Sequence, residues 1–255
     1  MAPRGLKQLL QKSAPGRFCR GKIQGFRAVD ADGKYQGPTL SGITKKLTER
    51  LYSKGEISMT GGGGWVPAAW RGADGGRRRG SAVDHQVSRL AAMGKQARQN
   101  ASKYKFTSLA FAALEQAGLE PLMGQRVVIS KQLGIATACD VVCYSKDRNA
   151  LVVVELKTGF AGDRTRAAVH QRKTQKMKSP CSTALDSTLH RHLAQLTATR
   201  HMLASETTLR AALKSKFEIS TIEGALLYVC DADMQFHSLP DWWSRRGKAL
   251  IAALA

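Results

Sequence analysis

The chain has 255 residues, is 43% hydrophobic and carries a formal net charge of +21. This length and apolar content predict a globular domain with an appendage, and no run of about 18 apolar residues is present to cross a membrane. So large a positive charge predicts a polyanionic partner, nucleic acid before an anionic membrane surface, although a basic tail on an unrelated domain would also produce it.

The basic residues are concentrated towards the N-terminus. Residues 1–105 hold 21 Lys and Arg against 6 Asp and Glu, whereas residues 106–255 hold 19 against 13. The first 27 residues carry seven Lys or Arg and no acid, which fits either an organelle presequence or a basic arm. We therefore predict a basic, partly flexible N-terminal extension over residues 1–60, extended or poorly ordered up to residue 40.

A loop rich in glycine and arginine is predicted over residues 61–80, ahead of a compact domain at 81–255. Trp65 and Trp70 in this loop would either stack on unpaired bases or pack the loop against the domain. A long loop of this kind beside a chemical site is often functional.

Hydrophobic periodicity predicts alternating helices and strands along the chain. Helices are predicted at 41–54, 82–98, 104–118, near 183–213 and at 241–254, and strands at 125–131, 135–144, 150–157 and 223–230. From residue 82 to residue 230 the order is helix, three strands, helix, strand. That order is typical of an α/β sandwich with a central mixed sheet flanked by helices.

Two of the predicted strands form a hairpin that carries charged residues within apolar sequence. If Ser145 pairs with Ala150 across a polar four-residue turn, Asp140 falls opposite Glu155, and Lys157 lies on the same face. Like charges in an apolar sheet repel and are costly to desolvate, and a divalent cation removes that cost. The hairpin therefore predicts a metal site with a lysine beside it, and a structural salt bridge is the alternative.

The chemistry of these groups predicts hydrolysis of a phosphodiester bond. Asp140 and Glu155 would hold Mg²⁺ or Mn²⁺ through oxygen ligands, with the carbonyl of Leu156 as a further ligand. Lys157 would orient or deprotonate the attacking water, or stabilise charge on the scissile phosphate. A bound cation of this kind lowers the pKa of water and polarises a phosphoryl oxygen.

The set Asp140…Glu155-x-Lys157 resembles the motif of the PD-(D/E)xK nuclease superfamily. The resemblance implies a restriction-endonuclease-like core of order αβββαβ, in agreement with the order of elements above. It also implies a Mg²⁺- or Mn²⁺-dependent deoxyribonuclease with Asp140, Glu155 and Lys157 as catalytic residues, and a nuclease domain over residues 81–255.

Two flanking features resemble the RecB-like exonuclease branch, which includes the lambda-exonuclease type and the mitochondrial genome-maintenance exonuclease. Gly80 precedes His85 on a helix ahead of the sheet, where the branch has a metal-ligating histidine; the spacing here is one residue longer, so Asp84 competes with His85 for that role. Gln195 follows in the next helix and would contact a phosphate or position the lysine, although Thr199 stands where an aromatic residue is common.

The resemblance implies an exonuclease that acts on DNA ends or single strands in replication, recombination or repair. A structure- or site-specific endonuclease on the same core and a non-catalytic nucleic-acid-binding protein are the alternatives. No GxxxxGK[ST] motif is present, so the chain has no predicted ATP site.

Further phosphate contacts are predicted from two basic segments, the arginine run before the first domain helix and residues 161–178. The residues assigned to DNA in these segments are Arg77, Arg78, Arg79, Arg172 and Lys173. Five widely spaced cysteines without CxxC or Cys/His zinc spacing predict an intracellular, reducing compartment, whether nucleus, cytoplasm or mitochondrion.

Overall fold

The structure is a computed structural model. It describes residues 1–15, 17–20, 25–30, 32, 34–52, 75–102, 104–158, 175–229 and 234–254. Trp65, Trp70, Arg172 and Lys173 lie outside these residues, and so do the side chains of residues 75–78, which include Arg77 and Arg78. The roles predicted for those six residues therefore stay predictions.

The described residues form an α/β fold, and the predicted class is confirmed. The helices are α1 (Leu6–Ser13), α2 (Ile43–Arg50), α3 (Gly75–Ala91), α4 (Lys95–Ala101), α5 (Lys105–Gln116), α6 (Thr188–Ala204), α7 (Thr207–Phe217), α8 (Asp241–Ser244) and α9 (Gly247–Ala253). The strands are β1 (Arg17–Arg20), β2 (Gly25–Val29), β3 (Tyr35–Gly42), β4 (Leu119–Ser130), β5 (Ile135–Ser145), β6 (Ala150–Thr158), β7 (Thr221–Val229) and β8 (Met234–Ser238).

All eight described strands belong to one mixed sheet. Strands β4, β5 and β6 are successive antiparallel neighbours, β7 joins β6 in parallel, and β8 runs antiparallel to β7. Strands β1, β2 and β3 form an antiparallel meander that meets β5 through a short parallel pairing of β3. A parallel β6–β7 pair needs a crossover, and helices α6 and α7 lie within it.

Helices cover both faces of the sheet. One hydrophobic cluster joins α3 and α5 to residues such as Val141, Val154 and Leu227. The other joins α1, α2, α6 and α7 to the opposite face, through residues such as Val142 and Val153. The alternation of Val141 with Val142 and of Val153 with Val154 follows from the two-residue period of a strand. No helix among the described residues is long and apolar enough to cross a bilayer.

The N-terminal residues differ from the extended or poorly ordered segment that the sequence predicts. Leu6 and Leu10, four residues apart in α1, are fully buried in the main core, as is Leu47 of α2. Four-residue spacing places such side chains on one helix face, and burial of that face stabilises a helix too short to form alone. Helices α1 and α2 therefore share a core with the predicted domain.

Strand β5 has neighbours that leave a gap along one of its edges. Strand β4 pairs with it throughout, from Ser130↔Ile135 to Leu119↔Ser145. Strands β3 and β6 must therefore share the other edge, where β3 pairs only with Ile135 and Ala136, and β6 only from Val141 onwards. Residues 137–140 have no ladder partner on this edge. Strands β5 and β6 therefore diverge as a fork before Val141, and Asp140 lies at its closed end.

Candidate functional site

The predicted hairpin register is confirmed. Ser145 pairs with Ala150 and Val141 with Val154, so the register continues to Asp140 opposite Glu155. The backbone pairing of β5 with β6 ends at Val141, and beyond it the Asp140 side chain makes the next hydrogen bond between the two strands. Its Oδ2 accepts a hydrogen bond of 2.9 Å from the backbone N–H of Leu156. This bond fixes the carboxylate at the point where β5 and β6 separate.

Glu155 is the most buried of the charged residues at the site, with only 1% of its surface exposed. Its Oε1 accepts hydrogen bonds from the Lys157 ammonium and, at 2.6 Å, from Gln195 Nε2 on α6. Its Oε2 is buried and has no hydrogen-bond partner among the described residues. An ionised carboxylate oxygen in that situation is costly unless a further donor or a cation reaches it.

Electrostatics couple these groups. Burial, followed by the negative charge of Asp140, raises the pKa of Glu155 to about 7. Burial alone would lower the pKa of Lys157, but the charges of Glu155 and Asp140 outweigh it and raise the pKa. Lys157 is therefore a fixed cation at neutral pH, whereas Glu155 lies near the boundary between its two protonation states. Perturbed ionisation of this kind is common at functional sites.

Helix α3 brings Asp84 to the site. Asp84 Oδ1 accepts a hydrogen bond of 2.7 Å from Gln125 Nε2, and the same nitrogen lies 3.3 Å from Asp140 Oδ1. The neighbouring His85 is exposed and does not line the cavity beside Asp140. Of the two residues weighed for the position after Gly80, the structure therefore joins Asp84 to the cluster. Gly80 itself lies beside the end of β6, close to Thr158.

Gln125 is a residue that sequence analysis did not identify. It lies opposite Asp140, between the pairs Gly124↔Val141 and Arg126↔Cys139. Its backbone has φ 49°, a left-handed conformation that is uncommon for a residue with a side chain. Alternation of apolar residues gives no signal for this conformation, because it depends on what β4 meets in three dimensions.

A cavity of about 190 Å³ opens at the fork. Its walls come from the sheet, from α3 and α6, and from the N-terminal meander. The lining residues are Phe26, Gly42, Ile43, Thr44, Lys45, Asp84, Gln125, Val127, Thr137, Ala138, Asp140 and Gln195. The N-terminal residues therefore form one wall of the candidate site, a contribution that composition alone did not indicate.

Helix α6 supports the site with two side chains on one face. Gln195 bonds to Glu155 as described, and His192, three residues earlier, lies 2.9 Å through Nδ1 from the Tyr228 hydroxyl. Tyr228 is paired with Lys157 in the parallel register of β6 and β7. Burial, then the positive charge of Lys157, holds the pKa of His192 well below its usual range, so this imidazole is neutral.

Of the predicted phosphate-binding residues, the structure describes the side chains of Arg79 and Gln195. Arg79 is partly buried, and its guanidinium carbon lies 5.3 Å from the centre of the Phe106 ring, so it packs against the α3–α5 layer. Gln195 lines the cavity but donates to Glu155, which favours a positioning role over direct contact with a phosphate.

The oxygen-rich cluster fits a hard divalent cation in part. Asp84, Asp140 and Glu155 are the acidic donors, and Mg²⁺ is commonly held by one or two carboxylates with water completing its shell. Within the described ranges, no three His, Cys, Asp or Glu side chains already converge as a metal-binding group. Lys157 donates to Glu155, and Gln125 donates to Asp84 and Asp140. The buried Glu155 Oε2 is the observation that favours a cation.

Comparison with known proteins adds little to this geometry. The chain matches no protein-family model and no curated protein. Among solved structures it is similar to the crystal structure of SSO0001, at 14% identity and a TM-score of 0.26, over 69% of each chain. A likeness of that size carries no argument about function.

Proposed function

We propose that this protein is a Mg²⁺- or Mn²⁺-dependent nuclease that hydrolyses phosphodiester bonds in DNA. The observation that carries the proposal is the joint placement of Asp140, Glu155 and Lys157 at the fork of the sheet, with one buried Glu155 oxygen left without a hydrogen bond. The sequence motif that resembles the PD-(D/E)xK nucleases consists of the same three residues. The run α5, β4, β5, β6, α6, α7, β7 contains the order of the core that this resemblance implies, with α7 as an additional helix before β7.

The cation would be held by Asp140 and Glu155, with Asp84 from α3 and the Leu156 carbonyl as further oxygen ligands. When bound, a cation of this kind supplies charge stabilisation at a phosphoryl oxygen and lowers the pKa of water. Asp140 is preorganised for this task, since the Leu156 N–H already fixes one of its oxygens and leaves the other directed towards Gln125.

Lys157 would act on the phosphate or on the attacking water. Its ammonium is paired with Glu155, and the side chain is partly exposed near the end of β6. A fixed cation aimed at developing negative charge stabilises a transition state without reorganisation. Gln195 would hold the Glu155 carboxylate in place, because it donates to the oxygen that also faces Lys157.

DNA contact is supported by charge. The net charge is +21, and Lys45 lines the cavity itself. Phosphate contacts from such residues would make affinity fall steeply with added salt. The sequence resemblance favours an exonuclease acting on ends or single strands, in replication, recombination or repair, and an endonuclease on the same core is the alternative.

The test is cleavage of end-labelled linear DNA and covalently closed DNA in Mg²⁺. Asp140→Asn should lower the cleavage rate by about 10²-fold or more, because it removes a charged oxygen ligand. Asp241→Asn, at an exposed acid on α8, is the matched control and should cleave as wild type does.

The outcomes separate the alternatives. Degradation of the linear but not the closed DNA supports an exonuclease, and nicking of the closed circle supports an endonuclease. Salt-sensitive DNA binding without cleavage by wild type in Mg²⁺ or Mn²⁺ would instead indicate a non-catalytic binding protein. Equal cleavage by wild type and Asp140→Asn would contradict the assignment of the site.

A further inference from the structure

Gln125 joins two carboxylates that come from different layers of the fold. Its amide nitrogen lies 2.7 Å from Asp84 Oδ1 on α3 and 3.3 Å from Asp140 Oδ1 on β5. An amide NH₂ group has two N–H donors, so one group can serve both acceptors. The nitrogen therefore lies between two negative oxygens, where a cation would satisfy both.

The backbone of Gln125 is held in an unfavourable conformation to make this bridge. A glutamine with φ 49° persists only where surrounding contacts compensate, and residues of this kind cluster at functional sites. In this case the contacts are the two carboxylates. The conformation turns a side chain in the interior of β4 towards α3 and Asp140 together.

The preceding residue sets the distance between the layers. A Cβ atom on Gly124 would lie 2.4 Å from the backbone Cα of Ser88, a separation that atoms do not adopt. Ser88 is one turn after Asp84 on α3, so the absence of a side chain at Gly124 lets that helix lie close enough for Asp84 to reach the site. Gly124 thus allows α3 to lie close to β4, and Gln125 links Asp84 on α3 to Asp140 on β5 by hydrogen bonds.

We propose that the Gln125 amide is a placeholder for a divalent cation, bridging Asp84 and Asp140 until a cation displaces it. This inference rests on the proposed metal-dependent function. A neutral amide satisfies the two oxygens as a donor but brings no positive charge, whereas a divalent cation would bind both oxygens and bring two positive charges. Binding of the cation must break the two hydrogen bonds, and their loss opposes binding. Gln125 therefore weakens cation affinity while it keeps the empty cluster assembled.

The test measures Mn²⁺ binding without turnover, from the loss of the electron paramagnetic resonance signal of free Mn²⁺. Gln125→Met keeps an unbranched side chain of similar length but removes the amide donor. It should bind Mn²⁺ about tenfold more tightly than wild type, the equivalent of one net hydrogen bond to a charged group. Gln96→Met, at an exposed glutamine of α4, is the matched control and should bind as wild type does.

Gln125→Asn provides a second variant in case Gln125→Met does not fold. Asparagine tolerates the left-handed conformation better, and its shorter side chain cannot span both carboxylates. It should also bind Mn²⁺ more tightly than wild type. Binding that is equal to or weaker than wild type in either folded variant would overturn the placeholder role and indicate that Gln125 only organises the site.

Wild type and Asp140→Asn distinguish this failure from failure of the proposed function. If wild type and Asp140→Asn bind Mn²⁺ equally, or neither binds it, the metal-dependent function is wrong and so is the placeholder role. If wild type binds through Asp140 but the Gln125 variants bind no more tightly, the placeholder role alone is wrong.

Discussion

Replacing Lys157 by Met should make the free energy of unfolding fall more steeply with pH than it does in wild type. The Lys157 ammonium is an ion-pair partner of Glu155, whose side chain is 1% exposed. Methionine retains an unbranched apolar side chain but removes the charge. A buried carboxylate that loses its cation is costly, so Glu155 in the variant is expected to bind a proton instead.

The size of the effect follows from proton linkage. A carboxyl whose pKa is raised on folding releases its proton on unfolding. Its contribution to the free energy of unfolding is therefore greatest at low pH and is lost as pH rises. In wild type, burial and Asp140 raise the pKa of Glu155 to about 7, and the loss levels off above that pH. In Lys157→Met the carboxyl stays protonated, and the loss continues at about 1.4 kcal/mol per pH unit. Between pH 6 and pH 8 the variant should lose about 1 kcal/mol more than wild type.

Urea denaturation from pH 5 to pH 8 in buffer with EDTA measures this difference without any contribution from a divalent cation. Lys214→Met removes an exposed lysine from α7, and its stability should run parallel to that of wild type. Glu155→Gln, which cannot ionise, should lack this pH dependence. If wild type and Lys157→Met run parallel over the whole range, Glu155 and Lys157 do not form the coupled buried pair described above.

Two further variants test the packing that supports the site, each by chemical denaturation. Glu206→Ala removes the acidic partner of the fully buried Arg126 side chain and should lower the free energy of unfolding by about 3 kcal/mol. Its control, Glu223→Ala, removes the acid of an exposed ion pair and should lower the free energy of unfolding by less than about 1 kcal/mol. Gly124→Ala forces a methyl group against α3 and should cost about 1–3 kcal/mol as well as weaken Mn²⁺ binding, whereas Gly94→Ala has open space and should do neither. Equal effects within either pair would contradict the contacts assigned to it.

The hairpin was predictable because its register is local. A polar four-residue turn between two apolar strands leaves one pairing that buries the apolar residues, and the structure has Ser145 opposite Ala150. The relative positions of Asp140, Glu155 and Lys157 on the sheet then follow from this register. Periodicity likewise predicted β4 to β7 and helices at α2, α3, α5, α6 and α9, because burial of one face leaves its period in the sequence. It did not predict α1, the strands β1 to β3 or β8.

The other parts of the site depend on approaches between distant segments. Asp84 comes close to the site because α3 packs directly against Gly124. Gln125 adopts a positive φ that the residue pattern does not predict. The meander β1–β3 joins β5 through only two residue pairs, so its place beside the cavity has almost no local signature. The basic composition of residues 1–60 suggested a partly flexible extension, whereas Leu6 and Leu10 of α1 and Leu47 of α2 are buried in the core.

A crystal structure with Mn²⁺, located by its anomalous scattering, would test the metal site most directly. We predict one ion in contact with carboxylate oxygens of Asp140 and Glu155, with Asp84 within reach and the Gln125 amide moved away from Asp140. The same crystals of Asp140→Asn should show no ion at this position. A wild-type structure in which Lys157 and Gln125 keep their bonds to these carboxylates at saturating Mn²⁺, with no ion between them, would contradict the proposed metal-dependent chemistry.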